Sequence, residues 1–314
     1  MTTEAGPIGR RVLDATASAI IVHGGAGEVT SDRFARLREG VRRAAAAGDA
    51  ILHAGGSALD AVVAAVRVLE DDPEYNAGTG SALTCDGTVE TDASVMDGSD
   101  QRVGAVAAVP DLGNAIALAR AVLDAGEHVM LAGDAAWRFA AEVGIAPAPA
   151  GSLVTERARK RLADHLAKRA TVKPSGGTVG AVARDRAGRF AAATSTGGIV
   201  GKRAGRVGDS PVPGAGTWAD ARCAISATGD GEAILRVALS RSIAMRIAAG
   251  CVLRDAIAES LRELHAITRG SAGVIAVDDR GVIGLQLSAT MPVAHIVRGV
   301  TIDVADSMGE QIAS

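Results

Sequence analysis

The sequence predicts an α+β fold: a four-layer αββα sandwich in which two antiparallel sheets stack between outer helices. Two observations lead to this prediction. In the first half, two helical patterns precede two strand patterns and two further helical patterns, an order unlike the βαβ repeat of a parallel sheet. In the second half, two pairs of strand patterns are joined by short turns at 185–188 and 278–281, as in β-hairpins.

The spacing of apolar residues predicts the individual elements. Gly48 is expected to end the first helix, and the sequence Asp-Asp-Pro at 71–73 is expected to end the second. The predicted helices cover 34–47, 57–69, 114–123, 129–143, 232–249 and 253–262. The predicted strands cover 19–22, 89–96, 103–109, 178–184, 189–195, 223–228, 274–277, 282–287 and 294–297.

Composition changes between the two halves. A Pro/Ala-rich stretch at 145–151 is followed by 155–173, which carries seven basic residues against two acidic ones. We expect a flexible basic linker over about 146–177. The alternative is a basic amphipathic helix that binds an anionic partner. The two halves, 1–177 and 178–314, are expected to share one folded domain.

The bulk composition excludes several classes of protein. With 314 residues the chain can bury a large core, and 48% hydrophobic against 2% aromatic residues means a core of Ala, Val, Leu and Ile. A net charge of −3 argues against a nucleic-acid partner. The three widely spaced cysteines, and the absence of a signal-peptide pattern or a long apolar segment, predict a cytoplasmic protein that does not enter a membrane.

The common catalytic motifs fail on inspection. The sequence contains no GxSxG elbow and no HExxH spacing. A dinucleotide fingerprint starting at Gly25 would need Gly or Ala where Thr30 stands, and a phosphate loop ending at Lys202 would need Ser or Thr where Arg203 stands. What remains is a set of threonines in glycine-rich contexts, namely Thr178, Thr196 and Thr228.

Thr178 is the strongest candidate nucleophile. A threonine hydroxyl needs a base beside it, and an α-amine with a pKa of about 7.7–8.0 suits that task. An internal threonine has no free α-amine, so this chemistry requires the chain to cut itself between Gly177 and Thr178. The glycine pair before Thr178 allows the strained backbone that such a cleavage needs.

Eight motifs, in order and across most of the chain, resemble those of the plant-type L-asparaginase/isoaspartyl peptidase family. This family belongs to the N-terminal-nucleophile hydrolases, and glycosylasparaginases and taspases are related to it. The motifs are HGGAG (23–27), GGSALDAV (55–62), YNAGTGS (75–81), GGTVGAVA (176–183), TSTGG (194–198), GRVGDSP (205–211), GAGTWAD (214–220) and TGDGE (228–232).

The resemblance implies a role for each catalytic position. Thr178 would be the nucleophile, released by self-cleavage after Gly177, and Thr196 would position it. Thr228 and the Gly229 amide would form the oxyanion hole. Asn76 would lie near the bond that is cut.

The resemblance also implies how the substrate is held. Arg206 would bind the substrate α-carboxylate and Asp209 its α-ammonium group, which the Gly231 carbonyl would also reach. The implied substrate-binding residues are Arg206, Val207, Gly208, Asp209, Thr228, Gly229, Asp230 and Gly231. The expected reaction is hydrolysis of L-asparagine, of β-aspartyl dipeptides, or of both.

No cofactor is required by this chemistry, but the family implies a structural sodium ion bound by backbone oxygens of one loop. The implied ligands are Leu69, Glu70, Asp72, Tyr75, Ala77 and Thr79. The family further implies a dimer of processed units, each made of 1–177 and 178–314.

The sequence departs from the family pattern at a few places. Ala204 replaces a proline, Lys-Pro-Ser-Gly at 173–176 leads to the cleavage point, and 287–291 differs from the usual aromatic element. Asp230 adds a negative charge that would favour an extended or basic substrate. Two alternatives stay open: a glycosylasparaginase or taspase-like protease of the same fold, and an uncleaved, non-catalytic binding protein.

Overall fold

In the computed structural model, which describes residues 16–167, 177–288 and 290–313, two sheets stack face to face. The strands of the larger sheet are β1 (Ser18–His23), β2 (Glu90–Asp97), β3 (Val103–Pro110), β4 (Met130–Ala132), β5 (Val179–Arg184), β6 (Phe190–Thr196), β11 (Val293–Arg298) and β12 (Ile302–Ser307). Their spatial order is β12-β11-β1-β5-β6-β2-β3-β4.

The smaller sheet is built almost wholly from the second half of the sequence. Its strands are β7 (Thr217–Ala219), β8 (Cys223–Gly229), β9 (Ala272–Asp278), β10 (Gly281–Gln286) and β13 (Glu310–Gln311), in the order β13-β10-β9-β8-β7. Within the described ranges, neighbouring strands of both sheets are antiparallel except for the β3–β4 and β10–β13 pairs.

Helices cover the outer faces of both sheets. They are α1 (Phe34–His53), α2 (Ala58–Glu70), α3 (Ala115–Ala125), α4 (Ala136–Glu142), α5 (Glu156–Ala167), α6 (Gly231–Val237), α7 (Leu239–Ala248) and α8 (Leu253–Thr268). Buried side chains of α1, α2 and α3 pack on the larger sheet, those of α6, α7 and α8 pack on the smaller one, and a third cluster fills the space between the sheets. The predicted αββα sandwich is confirmed.

The sequence predicts that Gly48 ends the first helix, and this prediction is wrong. Helix α1 continues through it to His53. A Cβ atom at Gly48 would lie 2.2 Å from Ile20 Cδ1 and 2.8 Å from the Ala61 carbonyl oxygen. This glycine therefore lets α1 approach β1 and α2 closely, and it has no role as a stop signal.

Two predicted helices are interrupted. The predicted helix 129–143 is β4, a short 3₁₀ turn and α4, and the turn begins at Gly133, which has a φ of +59°. The predicted helix 232–249 is two helices, because Ala238 has a φ of +47° and ends α6 in the left-handed region. Helical spacing of apolar residues persists across both breaks, so periodicity alone could not reveal them.

Strands β7, β12 and β13 were not predicted from the sequence. Along β12 exposed and half-buried residues alternate, and the strand lies at the sheet edge, so it lacks the apolar run that marks the other strands.

In the predicted linker, residues 156–167 form α5, whereas 168–176 lie outside the described residues. No helix in the described ranges combines the length and apolar character that a bilayer span needs.

Candidate active site

Thr178 stands directly before β5, near the middle of the larger sheet. It is buried, with 6% of its surface exposed, and β5 lies between β1 and β6. Its Oγ1 donates a hydrogen bond to Thr196 Oγ1 at the end of β6, 3.2 Å away. The antiparallel register, with Val179 opposite Ser195, brings the two threonines together.

The Gly177 carbonyl oxygen accepts two hydrogen bonds. Asn76 Nδ2 donates at 2.6 Å, and Thr196 Oγ1 donates at 2.8 Å. Donors arranged in this way stabilise negative charge on the oxygen and make the carbonyl carbon more electrophilic. The peptide bond between Gly177 and Thr178 is therefore polarised in the uncut chain.

The loop between α2 and β2 fixes Asn76 firmly. Its backbone oxygen accepts from Gly197 N at 2.9 Å, its Nδ2 also donates to the Gly198 carbonyl at 2.7 Å, and its Oδ1 accepts from Ala82 N at 2.5 Å. Because donors and acceptors are matched at both side-chain ends, the amide cannot rotate without losing hydrogen bonds.

The glycine-rich turn 23–27 packs against the same peptide bond. Gly25 has a φ of +102°, and a Cβ atom there would lie 3.1 Å from both Gly177 Cα and Thr178 N. The next amide, Ala26 N, donates to Thr228 Oγ1 at 3.1 Å. This turn therefore brings Thr228, from the smaller sheet, close to the nucleophile of the larger sheet.

Thr228 and Gly229 end β8. The bond from Ala26 uses a lone pair of the Thr228 hydroxyl and leaves its hydrogen to be donated elsewhere. Gly229 has a φ of +136°, and a Cβ atom there would lie 2.6 Å from the Ser271 carbonyl oxygen. A glycine is therefore needed at this strand end.

Asp209 is a buried carboxylate whose Oδ2 has no hydrogen-bond partner among the described residues. Burial raises the pKa of Asp209 to about 7. A Cβ atom at Gly231 would lie 2.8 Å from Asp209 Oδ1 and 2.9 Å from Arg206 Nη2. The carboxylate and the guanidinium therefore face one small space that only a glycine leaves open.

Arg206 is held in place by Glu232, a residue of the TGDGE motif to which the sequence analysis gave no role. Arg206 Nε and Nη2 each donate to the Glu232 carboxylate at 2.8 Å. The Nη1 edge faces Gly198 and Gly208, whose Cβ positions would lie 3.4 and 2.8 Å away. Because Gly198 N also donates to Thr196 Oγ1, the guanidinium lies near the threonine pair.

The remaining predicted substrate-binding residues have different positions. Gly208 is buried and Val207 is half-buried in the loop between Arg206 and Asp209. Asp230 caps helix α6, since its Oδ1 accepts from Ala233 N at 3.3 Å. The Asp230 carboxylate therefore caps a helix, a structural role that is separate from the expected effect of its charge on the pocket.

The sequence analysis missed Lys202 and Asp92, which lie beside the Arg206 loop. Lys202 Nζ donates to the Glu90 carbonyl at 2.9 Å, and Asp92 Oδ1 accepts from Ala108 N at 2.7 Å. Burial lowers the pKa of Lys202 and raises that of Asp92. Asp92 is distant from this loop in the sequence and belongs to no motif, whereas Lys202 lies four residues before Arg206 and was considered above only as part of a phosphate loop.

A chain of buried hydroxyl groups crosses the space between the sheets. His23 Nε2 lies 3.0 Å from Ser226 Oγ, which lies 2.8 Å from Thr194 Oγ1. Thr217 Oγ1 donates to Thr194 at 2.6 Å, and Ser94 Oγ donates to Thr217 at 2.8 Å. Burial lowers the pKa of His23 to about 3, so this histidine is neutral. This series of hydrogen bonds links β6, which holds Thr196, to β8, which holds Thr228.

The loop predicted to bind sodium supplies oxygen atoms, which suit a hard cation. The Glu70 carbonyl accepts from Thr79 N at 2.8 Å, and the Asp72 carbonyl accepts from Tyr75 N at 3.1 Å. Each carbonyl keeps a second lone pair, so the residues fit such an ion. Among the described residues, no group of His, Cys, Asp and Glu side chains forms a metal site.

The chain is similar to known proteins along most of its length. The chain matches the family model described as Asparaginase over residues 16–305. It is 47% identical to the isoaspartyl peptidase/L-asparaginase of Bos taurus over 86% of this chain and 90% of that protein. It is 44% identical to the protein of that name from Mus musculus over 95% and 93%, and 47% identical to that from Homo sapiens over 83% and 87%. The chain therefore belongs to the asparaginase family.

Proposed function

We propose that this protein is a self-cleaving amidohydrolase that acts on L-asparagine and on β-aspartyl dipeptides. The names of its relatives support both substrates. The observation that carries the proposal is the buried Asp209: its Oδ1 and the Arg206 guanidinium face the open space over Gly231, and its Oδ2 has no hydrogen-bond partner among the described residues. A guanidinium and a carboxylate that face the same small space suit the α-carboxylate and α-ammonium groups of an aspartyl unit.

The first reaction is cleavage of the chain itself. Thr178 Oγ1 attacks the Gly177 carbonyl carbon, a C–O bond forms, and the C–N bond breaks as the hydroxyl proton passes to the nitrogen. Asn76 and Thr196 stabilise the oxyanion through the two bonds to the Gly177 oxygen. Water then hydrolyses the ester, leaving a carboxylate on Gly177 and a free α-amine on Thr178.

The second reaction is hydrolysis of the substrate. The Thr178 α-amine takes the proton of its own hydroxyl as Oγ1 attacks the substrate β-carbonyl. Thr228 Oγ1 and Gly229 N stabilise the oxyanion, and the α-amine passes its proton to the leaving nitrogen. Water then attacks the aspartyl ester and releases aspartate.

Three further features belong to the proposal. A sodium ion on the 69–79 loop would fix the segment that carries Asn76. A dimer of processed units is supported by Ile302 and Val304, which are 61% and 60% exposed on edge strand β12. The free cysteines support a cytoplasmic, reducing location.

The test compares the wild type with Thr178→Ala and, as a control, Thr301→Ala at an exposed position. On denaturing gels the wild type and T301A should give fragments 1–177 and 178–314, and both should release ammonia from asparagine. T178A should remain one inactive chain. A wild-type chain that stays whole and hydrolyses nothing would support the binding-protein alternative. Turnover of glycosylated asparagine alone would support a glycosylasparaginase.

A further inference from the structure

A cavity of about 130 Å³ opens beside Gly177. Its lining includes the glycine-rich turn, Asn76, the two glutamates Glu28 and Glu74, and arginines from two helical segments. In the described part of the chain these arginines are Arg33, Arg157 and Arg161. The mechanism above makes no use of this cavity or of helix α5, which supplies two of the arginines.

Among the described residues, three arginines against two glutamates give the cavity lining an excess of positive charge. Arg33 is paired with Glu74, to which its Nε and Nη2 donate at 3.1 and 3.0 Å. Arg157 Nη2 donates to the backbone oxygens of Pro73 and Tyr75, which are neutral acceptors. Burial, with a contribution from the nearby Arg33 and Arg161 and opposed by Glu74 and Asp72, lowers the pKa of Arg157 to about 10. Arg157 therefore keeps a charge that its acceptors do not neutralise.

The chemistry of the proposed reaction places the leaving group of the substrate beside this cavity. The leaving nitrogen must receive its proton from the Thr178 α-amine, so it must lie within hydrogen-bond distance of that nitrogen. In the uncut chain the position bonded to Thr178 N is occupied by Gly177, which itself lines the cavity. After cleavage, the leaving amine of a substrate therefore occupies space next to the arginines.

We infer that the cavity is a subsite for the leaving amino acid of a β-aspartyl dipeptide, and that Arg157 binds its α-carboxylate. In such a dipeptide this carboxylate is separated from the leaving nitrogen by one carbon. The cavity volume is that of a few water molecules, which suits a carboxylate with a short side chain. Ammonia, the leaving group of asparagine, makes no use of the subsite.

The inference rests on the proposed function and gives helix α5 a role in substrate choice. The test uses the processed protein with two probes, β-aspartyl-glycine and its C-terminal amide, which differ only in the charge of the leaving residue. The measured quantity is the ratio of kcat/KM for the acid to kcat/KM for the amide. The variants are Arg157→Gln and Arg157→Lys, with Arg159→Gln on the exposed side of α5 as the matched control.

We expect the wild type and R159Q to prefer the acid. In R157Q the ratio should fall about tenfold, the loss of one charged contact worth roughly 1.4 kcal/mol, and R157K should restore part of it. Equal ratios in wild type and R157Q, or an equal fall in R159Q, would overturn the subsite. Failure of the wild type to hydrolyse asparagine and both probes would instead overturn the proposed function.

Discussion

At the scale of single residues, Asn76 and Thr196 share one task on the Gly177 carbonyl, and Asn76 can be removed without touching the nucleophile. The shorter of the two bonds comes from Asn76. Loss of one such donor slows acyl transfer by about 10²–10³. We therefore expect Asn76→Ala to slow self-cleavage by that factor in a denaturing-gel time course.

Asn114→Ala provides the control for this prediction. Asn114 is a half-buried asparagine that, like Asn76, donates to a neighbour, here Asp71, but it does not contact the cleavage point. The N114A variant should cleave itself at the wild-type rate. Cleavage of N76A as fast as that of N114A would show that the Gly177 carbonyl does not need the amide.

Asp209 makes stability depend on pH in a predictable direction. Burial raises its pKa in the folded state to about 7, from 3.8 in the unfolded chain. Between these values the folded state holds the extra proton, so this group lowers stability as pH rises from about 4 to about 7. Asp209→Asn removes the titration. We expect its Tm to exceed the wild-type value by about 2–4 °C at pH 8, and by less at pH 4.5.

Thermal unfolding of the substrate-free protein at both pH values tests this prediction. Asp279→Asn, at a position whose side chain is 76% exposed, is the control and should show the same Tm difference from wild type at both values. D209N should also lose activity, because the substrate ammonium loses its partner. A D209N variant that is less stable than wild type at pH 8 would contradict the prediction.

At the scale of elements, the junction of α6 and α7 stores strain at Ala238. This exposed alanine has a φ of +47° and a ψ of +55°, a left-handed conformation that costs an L-residue roughly 1–2 kcal/mol. Glycine adopts it freely. We therefore expect Ala238→Gly to raise the free energy of unfolding by about 1 kcal/mol in urea titrations.

The same substitution inside a helix should have the opposite sign. Ala266 is exposed within α8, and Ala266→Gly should lower the free energy of unfolding by about 1 kcal/mol. If both variants were destabilised equally, the left-handed conformation at Ala238 would carry no strain.

The elements also show how much of the structure could be predicted from the sequence. Strands such as β5 and β6 were predicted almost to the residue, because buried apolar runs mark them. The break at Ala238 was not predicted, because nothing in the sequence indicates that an alanine adopts the left-handed conformation. In the site, glycine contexts pointed to Thr178, Thr196 and Thr228. Asp92 was missed because only the fold brings it beside the Arg206 loop, and Lys202 was missed because its burial cannot be read from the sequence.

At the scale of the whole molecule, the two halves of the chain interleave in one sheet. Strand β1, from 1–177, lies between β11 and β5, which both belong to 178–314, and β2 pairs with β6. Cleavage after Gly177 breaks none of these pairings. We expect the two fragments to co-elute in size-exclusion chromatography and to separate only in denaturant.

T178A, which stays uncut, provides the reference for this experiment, because its elution volume should equal that of the processed wild type. Separation of the wild-type fragments in native buffer would contradict the observed strand order. The same column, calibrated for size, reports whether the processed unit is a dimer.

The position of β1 between two strands of the other fragment also bears on how the protein recovers from damage. Before processing, refolding is a first-order event within a single chain. After processing, β1 can regain its place only when two separate chains meet, so the rate of recovery depends on protein concentration. In the proposed processed form, recovery from unfolding is therefore slow at low protein concentration, and the lifetime of activity depends on the rate of unfolding.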